Sequence, residues 1–133
     1  MPDYLLDTTT IVDYLRDKSG VPELLEKLCS EGGLLGCSPV NIVEVYAGMK
    51  DKEKAETDEF LNSLECYETD REIAIVAGDL KRKYSRKGVT LSTPDVLIAA
   101  TAIKKHLILV TNNARHFPIE GLMIYSYERE EKH

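Results

Sequence analysis

Short apolar runs alternate along this chain with longer stretches in which apolar residues recur three and four positions apart. Tyr4-Leu5-Leu6, Leu34 to Cys37, the CYET segment around Tyr67, Leu107 to Val110 and Leu122 to Tyr125 are the short runs, and they read as strands. Helical spacing covers Ile11 to Leu15, Val21 to Glu31, the segment from Val40, Asp51 to Leu64, Ile73 to Tyr84, and the stretch that carries Ile98, Ala99 and Ala102. Most of the strands are short and lack polar alternation, as expected of strands covered on both faces. Strands separated by helices then imply an α/β fold with a parallel sheet between helical layers and right-handed connections.

The punctuation between these runs agrees. Gly32-Gly33 and Gly88 end helices, Asp70 caps the helix through Ile73 and Tyr84, and Ser38-Pro39 opens the helix from Val40. On that helix Val40, Val43 and Ala47 are expected to form the buried stripe, with Glu44 at its border. Thr93 is expected to cap the last long helix, with Pro94 and Asp95 in its first turn. Asp95 thus heads a face made of Ile98, Ala99 and Ala102 that needs burial.

Asp7 follows the first strand directly and is followed by three threonines. The carboxyl ends of parallel strands form one edge of the sheet, where ligand sites lie. Asp7 and the Thr111 to Asn113 turn fall on that edge, and the helices that start there carry Glu44 and Asp95 in early turns. Taken singly, each acid also reads as a helix cap or a rim ion pair. Gathered together, three carboxylates repel one another unless protons or a cation offset them. An all-oxygen donor set selects a hard ion, Mg²⁺ or Mn²⁺, and such an ion supports hydrolysis of a phosphodiester.

Composition narrows the field. With 133 residues, 43% of them hydrophobic, the chain is expected to form one domain over 1–133. A net charge of −6 argues against holding nucleic acid by general attraction, and the one dense basic cluster, KRKYSRK at Lys81 to Lys87, reads as a solvated helix end. Cys29, Cys37 and Cys66 show neither paired spacing nor a nearby histidine, and are expected to be small buried residues in a reducing compartment. No run is long enough to span a membrane and no leader pattern precedes the first strand, so a cytoplasmic protein is expected. The final EREEKH is charged and is expected to fray.

The motifs YLLDTTTIVDYLR, SPVNIVEVYAG, TPDVLIAATAIKKHLILVT and TNNARHF stand in this order over nearly the whole chain. Together they resemble the PIN-domain ribonucleases, and most closely the VapC-type toxins of toxin–antitoxin pairs. The resemblance implies a three-layer α/β/α PIN-like fold with a central parallel sheet of about five strands, and Mg²⁺- or Mn²⁺-dependent endonucleolytic cleavage of RNA. It makes Asp7 and Asp95 metal ligands, and Glu44 a holder of the metal or its water. Thr9 stands where the family has Asn or Ser, and Thr111 opens the final motif beside the site. Asn113 takes the place of a fourth acid, where its amide can coordinate through oxygen or position a water. His116 is a candidate RNA contact. A cognate antitoxin, held by a groove among the amphipathic helices between Ile11 and Leu64, and a homodimer are the implied protein partners.

Two other enzyme classes fail on residue identity. A haloacid-dehalogenase-like phosphatase requires an acid two positions after Asp7, where Thr9 stands, and a receiver domain requires adjacent acids there. The remaining alternative is a catalytically weak or inactive PIN-like module that binds protein or RNA. Asn113 favours it, and the joint presence of Asp7, Glu44 and Asp95 opposes it.

Overall fold

A computed structural model describes residues 2–128. Five strands, β1 (Tyr4–Leu6), β2 (Leu35–Cys37), β3 (Glu65–Cys66), β4 (Ile108–Thr111) and β5 (Ile124–Ser126), form one sheet in the order β3-β2-β1-β4-β5. Every pairing is parallel, with Leu5 opposite both Gly36 and Leu109 and Leu6 opposite Val110. The helices are α1 (Thr8–Leu15), α2 (Val21–Ser30), α3 (Pro39–Gly48), α4 (Lys54–Ser63), α5 (Arg71–Arg86) and α6 (Thr93–Lys105).

The period of two along each strand divides the apolar residues between two cores. Leu5 and Leu109 point into a cluster with Ile73, Ala77, Ile98 and Ala99 from α5 and α6. Tyr4, Leu6 and Val110 point the other way, against Ile11, Val21, Leu25, Leu28 and Val45 from α1, α2 and α3. Helices therefore cover both faces, in the three-layer α/β/α arrangement expected. Ala99, Ala100 and Ala102 are all buried, and such small side chains let α6 lie close to its neighbours. Among the described residues no helix is long and apolar enough to cross a membrane.

One glycine is required by packing. A methyl group at Gly36 would collide with the Tyr67 ring and stand 2.9 Å from the Glu65 carbonyl oxygen. Gly36→Ala is therefore expected to cost about 1–3 kcal/mol through overpacking, read as a lower urea midpoint at unchanged slope. An unchanged midpoint would show that β3 moves aside freely.

Several local expectations need correction. The hydroxyl of Ser92, not Thr93, caps α6 by accepting from the Asp95 N–H at 3.2 Å, which leaves Thr93 and Pro94 as the first helical positions. The last strand begins two residues later than its apolar run and ends one residue later. On α3 the expected stripe is misplaced, because Asn41 and Val45 are buried while Val43 is 66% exposed and Ala47 also faces solvent. Val43 stands two residues from each buried position, hence on the opposite side of the helix. Burial of a polar Asn in place of a Val follows from its bonds, since its amide oxygen accepts from the Ser38 N–H and hydroxyl, both at 2.8 Å. Cys37 is buried as expected, but Cys29 and Cys66 are exposed, and all three are free thiols. The EREEKH tail lies almost wholly outside the described residues.

Candidate active site at the carboxyl edge of the sheet

β1 and β4 lie side by side, and their ends set the site. The Asp7 N–H donates to the Val110 carbonyl at 3.0 Å, which extends the ladder by one residue before the chain turns into α1. Asp7 both caps this helix and stands at the carboxyl edge of the sheet, so the cap and ligand readings describe the same residue. One carboxylate oxygen accepts the Thr8 N–H at 2.8 Å. The other accepts the Thr111 hydroxyl at 2.8 Å and the Thr9 hydroxyl at 3.3 Å. Only 6% of Asp7 is exposed. Burial pushes its carboxyl above the ordinary value, outweighing the bonds from Thr111, Thr8 and Thr9, and the charge of Asp95 pushes in the same direction.

Glu44 joins through Thr8. The Thr8 hydroxyl donates to Glu44 Oε1 at 2.7 Å and accepts from Asn41 Nδ2 at 3.0 Å, so the capping residues of α3 also orient the acid one turn further on. Thr8 thus holds Asp7 by its N–H and Glu44 by its hydroxyl. Asp95, half-buried in the first turn of α6, stands close enough to act on the charge of Asp7. The structure therefore brings Asp7, Glu44, Asp95, Thr9 and Thr111 to one place.

The two asparagines divide differently from the sequence expectation. Asn113 donates its backbone N–H to the Thr111 hydroxyl oxygen at 2.9 Å, while its side-chain amide lies 3.3 Å from His116 Nδ1. Asn112 is the amide that joins the buried network. Its Oδ1 accepts the Thr9 hydroxyl at 3.0 Å and its Nδ2 donates to Asp13 at 2.9 Å. Asp13 is fully buried and also accepts the Tyr127 hydroxyl at 2.9 Å. Burial foremost, with the neighbouring Asp13, pushes that phenol well above its ordinary range.

Thr8, Asp13, Asn41, Asn112 and Tyr127 were all missed as site residues by sequence reasoning. Asp13 alone left a signal, as an acid set inside the apolar run IVDYL.

Among the described residues, no three of His, Cys, Asp and Glu already stand close enough together to grip an ion. The donors on offer are carboxylate, hydroxyl and amide oxygens. They fit a hard divalent cation such as Mg²⁺, which takes one or two carboxylates and completes its shell with water and substrate phosphate.

Carboxylates drawn to this edge of a five-stranded parallel sheet define a class, and comparison with known proteins agrees with it. The PIN domain family model matches residues 4–120, and the chain belongs to that family. Within it, the chain is 35% identical over 115 residues to ribonuclease VapC19 of Mycobacterium tuberculosis, covering 86% of this chain and 92% of that one. It is 28% identical over 131 residues to the tRNA(fMet)-specific endonuclease VapC of Salmonella typhimurium, covering 93% and 97%. The structure of VapBC2 from Rickettsia felis, bound to a DNA fragment from their promoter, superposes with a TM-score of 0.84 at 26% identity, covering 94% of this chain and 98% of that one.

Proposed function

We propose that this chain is a metal-dependent endoribonuclease that hydrolyses RNA phosphodiester bonds as the toxin of a toxin–antitoxin pair. The observation that carries this reading is the buried Asp7 carboxylate, its proton affinity raised by burial and by Asp95, at the carboxyl edge of the sheet. A cation would offset the cost of burying that charge beside a second carboxylate, which capping of α1 alone does not do. RNA as substrate follows the relatives, which are named ribonucleases, one of them specific for a transfer RNA.

Asp7, Asp95 and Glu44 are the residues that would hold Mg²⁺ or Mn²⁺. When bound, the ion would polarise a phosphoryl oxygen and make a coordinated water acidic enough to attack phosphorus. The protein supplies orientation. Thr8 and Thr111 fix the two oxygens of Asp7 in different directions, and Thr8 turns Glu44 towards the same edge, where it can hold the attacking water. Thr9 bridges Asp7 to Asn112 and keeps the two strand ends in register.

The protein partner belongs to the same reading, because several structural neighbours are toxin–antitoxin complexes. An open, largely apolar hollow of about 610 Å³, lined by residues including Tyr14, Pro22, Leu25, Phe60 and Leu64, lies among α1, α2 and α4, where the sequence placed the antitoxin groove. Tyr14 and Phe60 stack at 3.9 Å between centroids and form a firm wall for an apolar side chain. A homodimer completes the proposal and is checked by light scattering.

Incubation of a mixed RNA pool with Mg²⁺ tests the enzyme. Discrete cutting is expected, lost with chelator and restored by excess Mg²⁺. Cutting that persists unchanged in chelator would overturn the metal-dependent reading. No cutting at all, from protein shown to be folded, would favour the inactive binding module.

A further inference from the structure

Two open hollows flank the short turn at Ala114–His116. One, of about 280 Å³, is lined by Leu91, Ser92, Asp95 and Pro118 together with Arg115 and His116. The other, of about 680 Å³, has Asn112, Asn113, Ser126 and Tyr127 on its walls, again with Arg115 and His116. These two side chains thus form the ridge between the hollows, and Asp95 places the smaller hollow beside the acidic site.

The ridge carries polar groups without a structural task. Arg115 is exposed, and its guanidinium has no hydrogen bond or ion pair among the described residues, although it shares a hollow with Asp95. The His116 ring meets the Asn113 amide 3.3 Å from Nδ1, and its Nε2 has no hydrogen-bond partner among the described residues. Lys81 Nζ donates at 2.6 Å to the carbonyl of Leu91, which lines the smaller hollow, and so brings another positive charge near it. In a chain of net charge −6, a polyanion approaching an acidic site needs local positive charge, and this ridge is where the structure supplies it.

We propose that Arg115 and His116 form a binding subsite for a phosphodiester of single-stranded RNA flanking the bond to be cut, so that the strand crosses the ridge from one hollow to the other. The proposal rests on the ribonuclease reading and deepens it. The guanidinium grips two phosphate oxygens, His116 donates to the same backbone, and Lys81 adds longer-range attraction.

Binding of a short mixed-sequence single-stranded RNA to Asp7→Asn protein in Mg²⁺, followed against salt concentration, reads the subsite without cleavage. Adding Arg115→Ala is expected to weaken binding about tenfold and to reduce the slope of log affinity against log salt by about 0.7. Arg115→Lys is expected to keep the slope and lose part of the affinity. Arg82→Ala, which removes a cation already paired with Asp79, leaves both unchanged. With otherwise native protein, Arg115→Ala is expected to raise KM at unchanged kcat and melting temperature. An unaltered salt slope, or a fall in kcat at constant KM, overturns the subsite while leaving the ribonuclease reading intact. Absence of metal-dependent cutting by the native chain overturns that reading and the subsite with it.

Discussion

Asp7→Asn is expected to slow RNA cleavage by at least about 10²-fold, the scale of loss when one electrostatic group of an active site is removed, and yet to leave the metal-free fold more stable at neutral pH. The two effects have one cause. The folded-state affinity of Asp7 for a proton is raised above the unfolded value of 3.8 by burial and by Asp95. For such a group, stability is fully present below the unfolded value and is lost as pH rises through the folded one. The native chain in chelator therefore loses a contribution that Asp7→Asn, with no charge to bury, retains. The difference in melting temperature, substituted minus native, is expected to grow as pH climbs from about 3.8 and to level off above the folded value. Asparagine still offers an oxygen to the Thr8 N–H, so the helix cap persists. Adding Mg²⁺ is expected to close the gap by stabilising the native chain alone. A pH-independent difference would mean that Asp7 carries no burial penalty, and equal cutting by the two proteins would remove Asp7 from the chemistry.

The second large effect is expected at Asp13. Its carboxylate accepts from Asn112 Nδ2 and the Tyr127 hydroxyl in a fully buried position. Asp13→Ala leaves both donors behind, at an expected cost of about 2–4 kcal/mol. It also frees Asn112 from the orientation in which it receives Thr9, so the remaining folded protein is expected to cleave about tenfold more slowly, as when a supporting partner of a metal site is lost. Asp13→Asn keeps an accepting oxygen and should recover much of both losses. Tyr127→Phe removes the hydroxyl's contacts with Asp13 at 2.9 Å and Thr10 at 3.2 Å and is expected to cost about 1–2 kcal/mol with little effect on kcat. Urea unfolding and single-turnover cleavage read the two quantities separately. Stability unchanged in Asp13→Ala would show that water replaces the carboxylate at no cost.

The parts of this molecule that depend on local chemistry were legible in the sequence. Strand type followed from unbroken apolar runs, helix starts from Ser38-Pro39 and Asp70, and the edge of the sheet on which Asp7 lies from the parallel arrangement alone. Features set by tertiary partners were not. The buried face of α3 was misplaced because Asn41 is drawn inward by Ser38 and Thr8, a demand that no hydrophobic pattern records. The same limit hid Asn112. Neighbouring asparagines in TNN look alike on paper, and only the position of Asp13, 99 residues away, decides which of them turns inward.

The sheet order has a consequence for synthesis. β1 precedes the other strands in the chain but occupies the centre of the sheet, and its partner β4 comes roughly a hundred residues later, as the 104-residue separation of Asp7 and Thr111 shows. A loop of that span closes only after its far end has left the ribosome, since contacts cannot form before the chain that makes them exists. A growing polypeptide therefore lacks the Thr111 hydroxyl that orients Asp7, together with the α6 turn that bears Asp95, until those segments have been made. Cutting activity is expected only once β4 has been made, and a truncated product that stops before it is expected to lack that activity.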